Sequence, residues 1–240
     1  MTYVEGFIAA VPTANKDAYL QHAREAAAFI KDCGASRMVE SWGDDLPDGK
    51  VTDFRKAVQA KDDETVAFSW FEYPDRAARD AANEKMMSDP RMKEMGASMP
   101  FDGQRMIWGG FEAIVDERGI GQGGYTDGFV VPVPHDRKAD YQALAQDMAG
   151  KFKEWGAVRV VEAWGDDVPD GKVTDYRRAV QAQDGEGIVY SYVEWPDKAT
   201  RDAGWAKMME QDPGAGQPMP FDGKRMFWGG FQTILDERKG

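Results

Sequence analysis

The chain has 240 residues, with 42% apolar and 30% charged side chains and a formal net charge of −12. This composition is that of a globular protein, and no uninterrupted apolar run approaches the roughly 20 residues of a membrane helix. The negative charge, with no block of lysine and arginine to reverse it locally, excludes nucleic acid as an expected partner.

Residues 3 to 11 alternate between two largely apolar faces, which predicts a strand buried on both sides. After Pro12, the segment Asn15 to Gly34 places Tyr19, Ala23, Ala26, Ala27, Ile30 and Cys33 at three-and-four spacing and stops at a glycine. This predicts an amphipathic helix with a Gly cap. Ala35 to Trp42 reads as a second strand, followed by the loop 43 to 49, whose Asp48-Gly49 reverses the chain. Val51 to Ala60 is expected to pair back as an extended arm. Thr65 to Tyr73 is the next strand, and Asp75 can cap a helix running through Met87 to the stop at Asp89-Pro90. A Met-rich connection leads to the strand Arg105 to Val115, whose two faces also both need cover.

The unit then recurs. Residues 99 to 111 and 219 to 231 are identical at 11 of 13 positions. The offset between copies is 122, changing to 120 after the shortened segment 213 to 218. The expected division is repeat 1 over 1–118, a Gly-rich linker over 119–124 and repeat 2 over 125–240. A linker this short spans no more than roughly 25 Å, so the repeats must lie side by side.

The copies differ unevenly. Residues 39–60 and 161–182 agree at 18 of 22 positions, whereas 13–34 and 135–156 agree at 6 of 22. The helix pairs that persist include Lys16/Lys138, Tyr19/Tyr141, Ala23/Ala145 and Ala27/Ala149, a stripe suited to packing on a sheet. The agreement in the loop and arm is harder to attribute to packing, because much of it is polar. In repeat 1 it covers Asp44, Asp45, Asp48, Asp53 and Arg55; in repeat 2, Asp166, Asp167, Asp170, Asp175 and Arg177. Turn chemistry with local ion pairs is one reading, and an interaction surface is the other.

The motifs Gly-Asp-Asp-x-Pro-Asp-Gly-Lys-Val-Thr, Met-Pro-Phe-Asp-Gly-x-Arg-Met and Trp-Gly-Gly-Phe resemble those of the YbaA-like family of uncharacterised bacterial proteins (domain of unknown function 1428). The resemblance covers nearly all of both copies. Repeat 2 opens with the family's Asp127-Gly128-Phe129-Val130-Val131-Pro132, from which repeat 1 departs to Glu5-Gly6-Phe7-Ile8-Ala9-Ala10. The resemblance implies an α+β fold in which two ferredoxin-like repeats pack their antiparallel sheets together as an intramolecular dimeric α+β barrel. It implies no activity. Strands apolar on both faces agree with this architecture, since helices cover one side and the second repeat supplies the other layer.

The single cysteine, Cys33, rules out an intrachain disulfide and a Cys-rich metal site. His22 and His135 occupy non-equivalent positions and read as a helix-surface and a helix-start residue, so no metal and no cofactor is expected. The acidic loop lacks the spacing and closing glutamate of a calcium loop. Gly109-Gly110 and Gly229-Gly230 precede no helix, so they mark a bulge or a close backbone approach and not a phosphate loop. Ser69 and Ser191 have no histidine to activate them.

What remains is charge within runs that otherwise look buried: Glu5/Asp127, Glu40/Glu162, Glu72/Glu194 and Arg105/Arg225. In the implied barrel the second strand of one repeat borders the fourth strand of the other. Glu40 and Trp42 are therefore expected near Arg225 and Trp228, and Glu162 and Trp164 near Arg105 and Trp108. Three functions fit: a cofactor-free small-molecule enzyme, a small-molecule binding protein with the same pocket, and a structural or interaction module using the acidic arms. The expected setting is the cytoplasm, with no membrane partner, and the chain is its own pseudo-dimer, with further oligomerisation left open.

Overall fold

A computed structural model describes residues 2–211 and 218–239, so residues 213–217 of the shortened segment lie outside it. Each repeat folds as strand, helix, two strands, helix and strand. Repeat 1 contains β1 (Tyr3–Pro12), α1 (Lys16–Cys33), β2 (Arg37–Asp45), α2 (Phe54–Ala57), β3 (Glu64–Tyr73), α3 (Arg76–Ser88), α4 (Pro90–Ala97) and β4 (Ile107–Arg118). Repeat 2 contains β5 (Tyr125–Pro134), α5 (Lys138–Glu154), β6 (Arg159–Asp167), α6 (Tyr176–Ala179), β7 (Glu186–Trp195), α7 (Lys198–Gln211) and β8 (Phe227–Arg238).

The eight strands close into one antiparallel barrel in the order β1-β3-β2-β8-β5-β7-β6-β4. The expected seams are present: β2 pairs with β8, and β4 pairs with β6. Closure explains why the strands are apolar on both faces, because one face lines the barrel and the other carries helices. The register slips at Gly110/Phe111, and a Cβ on Gly110 would lie 2.4 Å from the Tyr3 hydroxyl oxygen. The glycine pair therefore serves both a bulge and a close approach.

The barrel interior is packed with aromatic side chains. Phe68 stacks on Tyr190 with centroids 4.6 Å apart, and Trp70 stacks on Tyr192 at 4.1 Å. Two further rings come from an unexpected source. The 51–60 segment is not a strand arm but a loop carrying the short helix α2. Asp53 caps that helix by accepting from the Lys56 amide at 2.7 Å, so a local cap outweighs the expected return as a strand. Phe54 then enters the barrel, 4.8 Å from Phe227 and 4.9 Å from Phe231, and Tyr176 of α6 sits 5.2 Å from Phe111. The loops also clasp each other, with Thr52 donating to the Ala179 carbonyl and Thr174 to that of Ala57, both at 2.6 Å.

A buried ion network joins the repeats where β2 and β6 begin. Arg37 donates to Glu194 at 2.5 and 2.9 Å, to Asp236 at 2.7 and 2.8 Å and to Glu72 at 3.2 Å. Arg159 mirrors it, reaching Glu72 at 2.6 Å and Asp116 at 2.8 and 2.9 Å.

Both outer edges of the repeat 1 sheet, β2 and β4, take their second neighbour from repeat 2. Residues 1 to 120 expressed alone are therefore expected to self-associate, because isolation leaves two edges and a large apolar face uncovered. A stable monomer in light scattering would contradict this.

Candidate functional site

The outer face of the repeat 1 sheet carries a row of directly opposed residues: Trp108 on β4, Phe7 on β1, Ser69 on β3 and Glu40 on β2. Glu5 lies on the same face two residues before Phe7, opposite Phe71. Helices α1, α3 and α4 do not close fully over this face, and a cavity of about 530 Å³ remains between them and the sheet. Seven methionines line it: Met38, Met86, Met87, Met92, Met95, Met99 and Met106. Unbranched thioethers of this kind let a wall adapt to the shape of an apolar guest.

The polar groups in this cavity are few. Glu40, 6% exposed, accepts a 2.5 Å hydrogen bond from the Tyr19 hydroxyl, and no cation pairs with it among the described residues. Burial pushes its pKa up to about 7, against the lowering pull of its hydroxyl neighbours, and burial together with the adjacent carboxylate raises Tyr19 well above the ordinary phenol range. Glu5 accepts from Asn83 at 3.2 Å and lies 3.8 Å from Arg79; burial raises its pKa as well. His22, which the helix pattern placed on the surface, is half-buried and lines the same cavity. Burial lowers its pKa, which favours the neutral imidazole.

Repeat 2 repeats the row as Trp228, Phe129, Ser191 and Glu162, and Glu162 accepts from Tyr141 at 2.6 Å. Glu162 also rises to about 7 through burial. The cavity there is only about 140 Å³.

The cross-repeat pairing of glutamate with arginine is not formed. Arg105 holds Glu64 through two 2.7 Å bonds and also donates to Asp102 and the Gln59 carbonyl. Arg225 holds Glu186 in the same way, at 2.6 Å twice. The reason is positional. Arg105 sits in the 3-10 turn before β4 and lies over the start of β3, whereas β4 meets β6 only from Gly110 onward. The tryptophans are likewise separated: Trp42 pairs across the seam with Gln232 and Trp164 with Glu112. Trp42 packs against Tyr19 at 5.8 Å and Lys16 at 5.5 Å, while Trp164 packs against Lys138 and His135.

The retained acidic loop meets the opposite repeat. Asp44 accepts from Tyr125 at 2.8 Å and Asp45 from Arg201 at 2.8 Å, while Asp166 accepts from Tyr3 and Arg76 and Asp167 from Arg79. Asp53 and Asp175 are helix caps, and Arg55 and Arg177 donate to the carbonyls of Glu64 and Glu186. Asp48 and Asp170 are exposed, and Asp48 borders a more polar groove shared with Lys224 and Trp228. Contact between repeats thus accounts for Asp44/Asp166 and Asp45/Asp167, and local caps and carbonyl bonds account for Asp53/Asp175 and Arg55/Arg177.

Tyr19 and Asn83 were not among the residues expected at a site. A signal was available for the first, since Tyr19/Tyr141 persists in a helix where only 6 of 22 positions agree. Among the described residues no group of three metal-ligating side chains comes together, and no helix is long and apolar enough to cross a membrane.

The profile of a family described as protein of unknown function (DUF1428) matches residues 2–103 and again 124–223. The uncharacterised protein YbaA of Escherichia coli K12 is 64% identical over 117 residues, which is 49% of this chain and 100% of the relative. A relative of the same name from Shigella flexneri matches equally. Among solved structures, a proposed monooxygenase from Fusobacterium nucleatum superposes with a TM-score of 0.60 at 12% identity over 100% of this chain and 95% of that one. A proposed monooxygenase from Lactobacillus acidophilus gives 0.56 at 7%, and an anthrone oxidase-like protein 0.51 at 13%, covering 97% and 94% of those chains and all of this one. At such identities these likenesses show the dimeric α+β barrel fold alone.

Proposed function

Because the chain belongs to the DUF1428 family, whose domain it carries twice, and because repeat 1 keeps an apolar cavity of about 530 Å³ under its helices, we propose that it binds a small apolar molecule there. On this reading Glu40 exchanges a proton with the bound molecule. The observation that carries the reading is a buried carboxyl at the floor of an apolar cavity, held by a phenol and paired with no cation among the described residues. A structural carboxylate in such a place is normally paired, as Glu64 and Glu72 are here. A carboxyl with a pKa of about 7 is poised to take or give a proton near neutrality.

Proton abstraction from a carbon or phenol acid would open either an isomerisation or a cofactor-free oxygenation. The solved neighbours described as monooxygenases and as anthrone oxidase-like are compatible with the second, without supplying its residues. The setting we propose is the cytoplasm, with a small-molecule partner and neither metal nor nucleic acid.

The test uses 2-tetralone, an apolar ketone with acidic α-hydrogens, in deuterated buffer with the full chain. Deuterium exchange at the α-carbon, followed by NMR, is expected to accelerate by about 10²-fold or more. The acceleration should rise with pH to a plateau with a midpoint near the Glu40 pKa, and Glu40→Gln should abolish it. No acceleration under conditions where naphthalene binds the cavity would remove the proton-transfer role, and absence of naphthalene binding would remove the site.

A further inference from the structure

The two repeats place different side chains over the same sheet face, and the difference indicates what the open site accepts. Position 83 in repeat 1 is asparagine; its counterpart in repeat 2 is Trp205. That indole lies over the repeat 2 face, stacked on Trp228 with centroids 5.2 Å apart and planes at 25°, and 6.4 Å from Phe129. Its N–H donates to Asp127, the counterpart of Glu5, at 2.8 Å. Asp127 also accepts from the Trp195 indole at 2.9 Å and from Arg201 at 2.8 Å, so its oxygens are well supplied with donors.

Repeat 1 has the same carboxylate position with weaker donors around it. Trp195 is replaced by Tyr73, whose buried hydroxyl neighbours Glu5 without a well-formed hydrogen bond, Trp205 by the shorter Asn83, which reaches Glu5 at 3.2 Å, and Arg201 by Arg79, which stands 3.8 Å from Glu5. Trp108, the counterpart of Trp228, is 40% exposed and has no ring stacked on it among the described residues. Phe7, Glu5, Asn83 and Trp108 all line the open cavity.

We propose that the repeat 1 cavity takes a flat aromatic ligand carrying an N–H or O–H on its edge, which stacks on Trp108 and donates to Glu5 in the place that Trp205 fills in repeat 2. Trp205 is then a covalently attached stand-in for the ligand, and repeat 2 is a closed copy that completes the barrel. The ligand spans a face with Glu5 and Asn83 on one side and Glu40 and Tyr19 on the other. It can therefore be held through one edge while the other meets the proton-exchanging carboxyl. A buried acceptor left unmatched is costly, so an analogue without the donor should bind more weakly. This inference rests on the small-molecule reading of the cavity and adds the class of ligand.

The experiment compares 2-naphthol, 2-methoxynaphthalene and naphthalene binding to the full chain by titration calorimetry at pH 8. We expect one site per chain and about tenfold or greater preference for 2-naphthol over its methyl ether, the size of one hydrogen bond to a charged acceptor. Asn83→Trp should abolish binding of all three, and Trp205→Asn should raise the stoichiometry from one to two. Equal affinity for the phenol and the ether, with naphthalene still bound, would overturn the donor requirement while leaving the proposed function standing. Retained binding in a folded Asn83→Trp chain would overturn the assigned place. Should that variant fail to fold, the comparison of phenol with ether on the unaltered chain decides.

Discussion

Replacing Arg37 by methionine is expected to cost about 3 to 5 kcal/mol of stability, the usual penalty for leaving buried carboxylates without their partner. In a chain of this length that lowers the melting temperature by roughly 10 °C. The size follows from the place of Arg37, which is 4% exposed and bonds at once to Glu194, Asp236 and Glu72. Removal of one guanidinium strands charge from both repeats. A shift of less than about 2 °C by calorimetry would show that water replaces the arginine.

The same network sets the response to acid. Burial alone would raise Glu72, but Arg159 and Arg37 outweigh it and hold its pKa below the ordinary range; burial is likewise outweighed for Asp236 by Arg37 and for Asp116 by Arg159. Glu64 is brought to about 2, chiefly by its bonds from Arg105. Carboxylates depressed in the folded state stabilise it above their unfolded pKa and lose that contribution as pH falls through the folded value. The barrel should therefore weaken from about pH 4 downward, and Arg37→Met should show a shallower acid limb than the parent.

Glu40→Gln is expected to act in the opposite sense. The folded-state pKa of Glu40, about 7, lies above that of a solvated glutamate, so burial favours the protonated acid and opposes its ionisation. The parent then loses stability as pH rises through the window from about 4.5 to 7, while the amide, which cannot ionise, does not. Relative to the parent, Glu40→Gln should gain about 2 to 4 kcal/mol between pH 4 and pH 8. Glu162 is present in both proteins and cancels. Urea denaturation at the two pH values measures the difference, and a pH-independent difference would show that Glu40 ionises as freely as a surface residue.

Much of the architecture is a consequence of local pattern. The Gly34 stop, the stripe through Tyr19, Ala23 and Ala27 and the Asp75 cap each follow from short-range chemistry, and the repeat requires that two such units meet. The error at 51–60 has the same origin. The reversal at Asp48-Gly49 suggested a returning strand, but Asp53 with its amide partner three residues on is a cap, and the segment buries Phe54, Ala57 and Val58, with the phenylalanine delivered into the barrel.

The candidate site was less legible. Glu40 and Trp108 were recognisable as unusual on their strands, yet the arginines assigned to the glutamates bond elsewhere, because a turn before β4 points Arg105 at Glu64. Arg37 and Arg159, which bind the two repeats together, each stand at a strand start and look like ordinary surface residues in one dimension. The value of Asn83 against Trp205 also needed the sheet beneath them, since a helix position shows its length and polarity but not which carboxylate it faces.

By itself, then, the sequence determined the duplication, the order of elements and the need for closure, all of which follow from periodicity and caps acting over a few residues. The tertiary structure decided which charges are partners, that the loops add Phe54 and Tyr176 to the barrel interior, and that the open cavity lies outside the barrel under the helices of repeat 1. Those outcomes depend on side chains that are distant along the chain and brought together by strand register, and register across a seam is fixed by the whole barrel closing at once.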